Sequence, residues 1–207
     1  MNRADKLRGI YAIVQDGLPG AVTLARAALE SGIRIVQYRA KDGIVPSHAR
    51  ELRALTRMHD ALLIINDDWT AVPAFDADGV HVGPEDASLA RLHDLRRQLH
   101  GRLLGFSAAT PDEAKAAEGA GADYLGVGSV YATASKDDAG APIGIAGLRM
   151  VAAATAVPVA AIGGISARNL TAVRESGVAM AAVLSALAGA DDPHEAAAVL
   201  VRTWNAP

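Results

Sequence analysis

Gln37, Arg39 and Lys41 fall two residues apart in the run GIRIVQYRAKD, residues 32–42. Residues two apart on a β-strand share a face. An amide, a guanidinium and an ammonium therefore point the same way as Ile33 and Ile35. A face that is apolar at its start and doubly cationic at its end suits an anion with several oxygens, such as a phosphate ester.

Other apolar runs end in chemistry of their own. LLIINDDW closes on Asn66, Asp67 and Asp68, DGVHVGPED carries Asp86 just beyond its end, and LLGFS ends on Ser107. Bare carboxylates beside bare cations would largely neutralise each other. A divalent ion lets both sets act at once: Asp67 and Asp86 suit a hard, oxygen-seeking cation such as Mg²⁺. Arg39, Lys41 and Lys136 then take the remaining phosphate charge. A second anion site is expected where GGIS opens a helix. Gly163 and Gly164 let backbone N–H groups approach a ligand, with Leu184 and Ser185 from the following strand end beside them.

Each residue also has a plainer role. Asp67 or Asp68 suits an N-cap before WTAVPAF, and Asp86 one before ASLARL. Ser107 could satisfy a turn, and Gly163-Gly164 could form a tight one. His81 reads as a packed histidine, and RLHDLRRQLHGR as a solvated helix face.

Such scattered groups need a frame that gathers them. Strands are expected at 9–15, 33–39, 62–66, 78–82, 103–107, 123–128, 158–163 and 178–185, with alanine-rich amphipathic runs between them. Thr110, Pro111 and Glu113 spell a capping box, and Asp192, Pro193 and Glu195 repeat the device. A further helix is expected from Ser166 to Gly177. Eight strand–helix units in 207 residues predict an α/β fold, a single (β/α)8 TIM barrel domain spanning 1–207, with a doubly wound open sheet as the alternative. In a barrel, Ile33 and Ile35 would fill the lumen, and all the polar strand ends would converge on one mouth. The segment 129–144, holding Thr133, Ala134, Ser135 and Lys136, is long for a strand-to-helix connection and reads as a binding loop.

Hydrophobic residues make up 51% of the chain, enough for a large core, and the formal net charge of -3 offers no basic surface for nucleic acid or membrane. Cysteine is absent, so neither a disulfide frame nor a thiolate metal site is available. No apolar signal core or membrane-length run is evident, and a cytoplasmic protein is expected. A homo-oligomer is compatible with all of this.

The motifs QYRAK, IND, GVHVGPED, GFS, GADYLGVG, TASK and IGGI, in that order and spacing, resemble the thiamine-phosphate synthase family over most of the chain. The resemblance implies a Mg²⁺-dependent transferase that joins a phosphorylated pyrimidine to a phosphorylated thiazole with loss of pyrophosphate. It implies that Gln37, Tyr38, Arg39, Ala40, Lys41 and Asn66 hold the pyrimidine diphosphate. Asp67 and Asp86 would bind Mg²⁺, and Ser107 and Lys136 would also contact the diphosphate, making Arg39, Lys41, Ser107 and Lys136 the catalytic set. Thr133, Ala134, Ser135, Gly163, Gly164, Leu184 and Ser185 would hold the thiazole phosphate. This chain departs from the family pattern at Tyr38, Asp68, Ala109 and Ser135 and in GSVY. A thiazole tautomerase and a non-catalytic precursor-binding barrel are the alternatives.

Overall fold

The computed structural model describes residues 3–17, 20–133 and 140–206. Eight parallel strands form the centre: β1 (Gly9–Gln15), β2 (Ile35–Arg39), β3 (Leu62–Asn66), β4 (Gly79–Val82), β5 (Leu103–Ala108), β6 (Tyr124–Val127), β7 (Val159–Ala161) and β8 (Met180–Val183). Each pairs with the next, and β8 pairs back onto β1 from Gly9↔Met180 to Ala12↔Val183. That last ladder decides between the two expected architectures: the sheet is a closed (β/α)8 barrel with no open edge.

Helices α1 (Ala21–Glu30), α2 (Pro46–Met58), α3 (Ala71–Ala74), α4 (Leu89–Gln98), α5 (Pro111–Gly119), α6 (Gly144–Ala152), α7 (Leu170–Arg174), α8 (Ser185–Ala188) and α9 (Pro193–Asn205) follow their strands. They present small apolar residues inward; α1 buries Ala21, Leu24, Ala25, Ala28 and Leu29. Thr110 and Glu113 form the expected capping box, satisfying orphan N–H groups at the start of α5. Asp192 caps α9 through the N–H groups of His194 and Glu195. The Glu195 side chain does not complete a second box; it pairs with Arg202 at 2.8 Å.

Two apolar layers result. The outer one lies between strands and helices and includes Val36, Leu63, Ile65 and Leu104. The inner one fills the lumen with Ile35, Leu62, Ile64, Leu103 and Met180. Ile33 belongs to the outer layer, not the lumen. Its N–H bonds to Ala28 O at 3.0 Å and that of Gly32 to Leu29 O at 3.1 Å, with Gly32 at φ 102°. These bonds form a Schellman C-cap, whose following residue packs back on its own helix. The strand therefore starts at Ile35.

Strands β6 and β7 are shorter than expected, at Tyr124–Val127 and Val159–Ala161, and two further boundaries bear on the barrel mouth. The helix after β7 begins at Leu170, because Asn169 turns the chain first: its side chain accepts the Ser166 N–H and donates to Gly164 O, both at 2.9 Å. Strand β8 ends at Val183, and Ser185 opens α8 instead of ending the strand. Among the described residues no helix is long and apolar enough to cross a membrane.

Candidate active site

The polar strand ends meet at the C-terminal mouth of the barrel, around a cavity of about 550 Å³. The ladder register explains the convergence. Gln15 lies beside Arg39, and Asn66 beside His81; His81 is level with Gly105, and Ser107 with Gly126. Side chains of one parity around the ring must point inward together. Gln37, Arg39, Asn66, Asp67, Asp86 and Ser107 line one side of the cavity. Thr133, Gly163, Gly164, Leu184 and Ser185 line the other.

The backbone after β3 separates the two aspartates. Asp67 adopts φ 64°, a left-handed conformation that Asp tolerates better than most residues, and its carboxylate accepts from the Asn66 amide. Asp68 lies outside the cavity lining. Its Oδ1 accepts the Thr70 N–H at 3.0 Å, the Ala71 N–H at 3.3 Å and the Thr70 hydroxyl at 2.5 Å. Asp68 thus holds the turn that leads into α3, whose N-cap position is Thr70, and its charge is engaged there. Asp86 does not cap α4, since Ser88 does. Asp86 Oδ2 accepts the Gly83 N–H at 2.8 Å, which folds its own loop over the mouth.

Below the mouth, polar side chains cross the lumen in sequence. Gln37 Nε2 donates to Tyr11 Oη at 2.8 Å, and Tyr11 Oη is 2.9 Å from Tyr124 Oη. Tyr124 Oη is 3.2 Å from His81 Nδ1, and His81 Nε2 is 3.1 Å from Ser107 Oγ. Burial drives the His81 pKa from 6.5 down to about 4, against a smaller upward pull from Asp86, so the imidazole is neutral near pH 7. Burial raises both phenols well above their usual range. Sequence reading missed Tyr11 and Tyr124 and assigned His81 to packing. Glycines at alternate positions were the available signal: Gly105, Gly126 and Gly128 share the inward face, which marks a crowded lumen.

The glycines after β7 have a structural reason beyond ligand approach. A Cβ on Gly163 would lie 2.0 Å from Ser129 Oγ, and one on Gly164 2.5 Å from Ala132 O. The backbone of the loop after β6 packs directly on them, with the Tyr131 N–H bonded to Gly163 O at 3.0 Å. The long helix expected to begin at Ser166 does not stand behind them.

Three of the expected residues do not line the cavity. Tyr38 points to the helix layer; its hydroxyl donates to Asp16 Oδ2 at 2.5 Å and accepts the Val45 N–H at 3.3 Å. His48 Nδ1 adds a contact of 2.8 Å to Asp16, so this cluster ties together the loops after β1 and β2. Ala40 packs against the outer apolar layer. Lys41 is exposed beyond the end of β2, without a hydrogen bond or ion pair among the described residues. Ala134, Ser135 and Lys136 lie outside the described residues.

The sequence model described as thiamine monophosphate synthase matches residues 10–187. A thiamine-phosphate synthase of Caldivirga maquilingensis is 40% identical over 203 residues, 96% of this chain and 97% of that protein. One of Archaeoglobus fulgidus is 45% identical over 181 residues, 86% and 84% of the two chains. The solved structure of a thiamine phosphate pyrophosphorylase from Pyrococcus furiosus superposes with a TM-score of 0.89 at 37% identity, covering 98% of each chain. Homology over nearly the whole length, with at least one residue of each motif lining the same cavity, gives a single conclusion: the chain belongs to the thiamine monophosphate synthase family.

Proposed function

We propose that this protein joins 4-amino-2-methyl-5-(diphosphooxymethyl)pyrimidine to 4-methyl-5-(2-phosphooxyethyl)thiazole, releasing thiamine phosphate and pyrophosphate. One observation carries the reading: the amide, cation, carboxylate and hydroxyl of four different strand ends and the glycine-rich loops after β7 line the same cavity.

The chemistry follows from that lining. The methylene C–O bond breaks and its electron pair leaves with pyrophosphate. The electron-rich aminopyrimidine delocalises the positive charge left on carbon. The thiazole nitrogen then gives its lone pair to that carbon, so no covalent enzyme nucleophile is needed. Arg39 and Ser107 are assigned to the diphosphate, where negative charge grows, and pre-set donors stabilise such charge best. Lys41 and Lys136 are assigned to the same anion. Gln37 and Asn66 are assigned to the pyrimidine half. Gly163, Gly164, Leu184, Ser185 and Thr133 are assigned to the thiazole phosphate. Ile13, Ala160, Ile162 and Ala182 supply an apolar wall that shields a cationic carbon from water. Holding both substrates in line removes much of the bimolecular entropy cost, up to roughly 7–11 kcal/mol.

Asp67 and Asp86 are proposed to hold Mg²⁺. The donor chemistry suits that ion: both are carboxylates that line the cavity, hard oxygen donors of the kind Mg²⁺ prefers. Mg²⁺ is commonly held by one or two carboxylates and completes its shell with water and phosphate oxygens. Bound there, it would neutralise charge on the departing pyrophosphate.

The test is direct. Purified protein is mixed with both substrates and Mg²⁺, and thiamine phosphate and pyrophosphate are quantified with and without chelator. Stoichiometric formation of both, lost on chelation, is the expected result. Isomerisation of the thiazole without coupling would instead identify a tautomerase, and binding without turnover a carrier.

A further inference from the structure

Side chains from five strands form one unbroken hydrogen-bonded chain through the barrel: Gln37, Tyr11, Tyr124, His81 and Ser107, with successive separations of 2.8, 2.9, 3.2 and 3.1 Å. Both ends open into the cavity, whereas Tyr124 is fully buried and does not line it. Seating it is costly to the core. A Cβ on Gly105 would lie 2.2 Å from Tyr124 Cζ and 2.5 Å from His81 Nδ1, and one on Gly126 2.9 Å from His81 Cε1. Two strands therefore give up lumen-filling side chains to admit rings that an aliphatic plug could have replaced.

The proton count gives this chain a direction. The Gln37 amide N–H donates to Tyr11, whose own proton goes to Tyr124, and that of Tyr124 goes to Nδ1 of the neutral His81. The imidazole then carries its proton on Nε2 and donates it to Ser107. The Ser107 O–H is left to donate into the cavity, and Gln37 Oε1 is left to accept. The reverse direction needs a flipped Gln37 amide and the other His81 tautomer; it presents N–H donors at Gln37 and an acceptor at Ser107. Because each link fixes its neighbour, the chain has two cooperative states.

We propose that this chain couples the two ends of the pyrimidine diphosphate site. A phosphate oxygen that accepts from Ser107 and a pyrimidine amine that donates to Gln37 select the same direction, so each strengthens the binding of the other. A two-state element biased from both ends is what such coupling requires. The proposal rests on the functional reading above and makes Tyr124, Tyr11 and His81 positioning residues.

Calorimetric titrations with inorganic pyrophosphate and 4-amino-5-hydroxymethyl-2-methylpyrimidine test it. In the unaltered protein, saturating either probe should tighten the other about five- to tenfold. Tyr124→Phe removes one buried oxygen that no ligand reaches; both probes should still bind, with their coupling reduced to less than about twofold. A merely structural tyrosine would lower Tm and leave the coupling intact. Coupling that survives Tyr124→Phe runs by direct ligand contact and overturns the proposal. Independent binding of the two probes to the unaltered protein also overturns it, and leaves the functional reading standing. Failure of either probe to bind overturns both. Ring ¹⁵N shifts of His81 in the unaltered protein give a readout that needs no variant. With both probes bound, Nδ1 should be bare and Nε2 protonated, and the opposite tautomer would refute the assignment.

Discussion

At the N-terminal end of the barrel, Asp78 accepts from Arg3 Nε at 3.0 Å, Arg53 Nη1 at 2.7 Å and the Leu63 N–H at 3.0 Å. Asp123 does the same work two strands on, accepting from Arg96 and from the Leu104 N–H. Each aspartate stands just before an even-numbered strand and caps the start of the preceding one. At the C-terminal end, among the described residues, Arg39 reaches only Gln15 Oε1, at 3.4 Å, and Lys41 has no partner. Floor and mouth use the same residue types. The floor spends its charges on neighbouring strands and backbone, which holds the ring together. The mouth keeps cations available, which costs stability and leaves a place for an anion.

The most damaging way to probe this contrast is at the floor. Asp78→Ala takes the acceptor from the largely buried Arg53 guanidinium and from the buried Leu63 N–H, while the more exposed Arg3 turns back to solvent; it should cost about 3 kcal/mol, read as a large drop in Tm or denaturation midpoint. A small drop would mean that the floor pairs are ornamental. At the mouth the damage should move from stability to turnover. Asp67→Asn keeps a residue tolerant of positive φ but removes the charge. It should lower kcat/KM on the order of 100-fold with Tm nearly unchanged, and activity near normal at limiting Mg²⁺ would remove the metal assignment. Lys41→Ala should raise KM for the pyrimidine diphosphate about tenfold and leave that for the thiazole phosphate unchanged; equal changes would move Lys41 out of the diphosphate site. Tyr38→Phe should cost only about 1 kcal/mol, because its hydroxyl serves loops, not substrate.

Acid separates the two regions without mutation. The folded-state pKa of His81 is about 4, below its ordinary 6.5. The unfolded chain therefore binds a proton that the folded one refuses, and this contribution is full above 6.5 and lost as pH falls from 6.5 through 4. At the floor, Asp76 is held below its ordinary 3.8 by hydrogen bonding from Arg102, against some opposing desolvation. Its contribution is present above 3.8 and disappears only at lower pH. Denaturation midpoints should begin to decline below pH 6.5, and His81→Phe should flatten that first limb while leaving the second.

The polar strand ends were readable because a β-strand has a fixed period of two. Once one inward residue is known, its partners follow, and Gln37 and Arg39 were found that way. The span of β3 was readable as a short apolar run closed by polar residues, and α5 from its capping box. The lumen chain was not readable. In GIYAIVQ both faces are apolar, so alternation alone does not say whether Tyr11 or Ile10 turns inward. The start of β2 was misplaced because a Schellman turn consumes Ile33, and that depends on how helix α1 ends.

The sequence by itself determined which groups could act on a phosphorylated substrate and the local elements that carry them, because residue chemistry, strand period and helix caps are short-range properties. Only the tertiary structure decided that the sheet closes, that Asp67 faces the cavity while Asp68 turns to a helix, and that Tyr124 and His81 join Gln37 to Ser107. Those outcomes depend on the stagger between strands distant in sequence and on Gly105 and Gly126 making room for the Tyr124 and His81 rings, and no single segment specifies either.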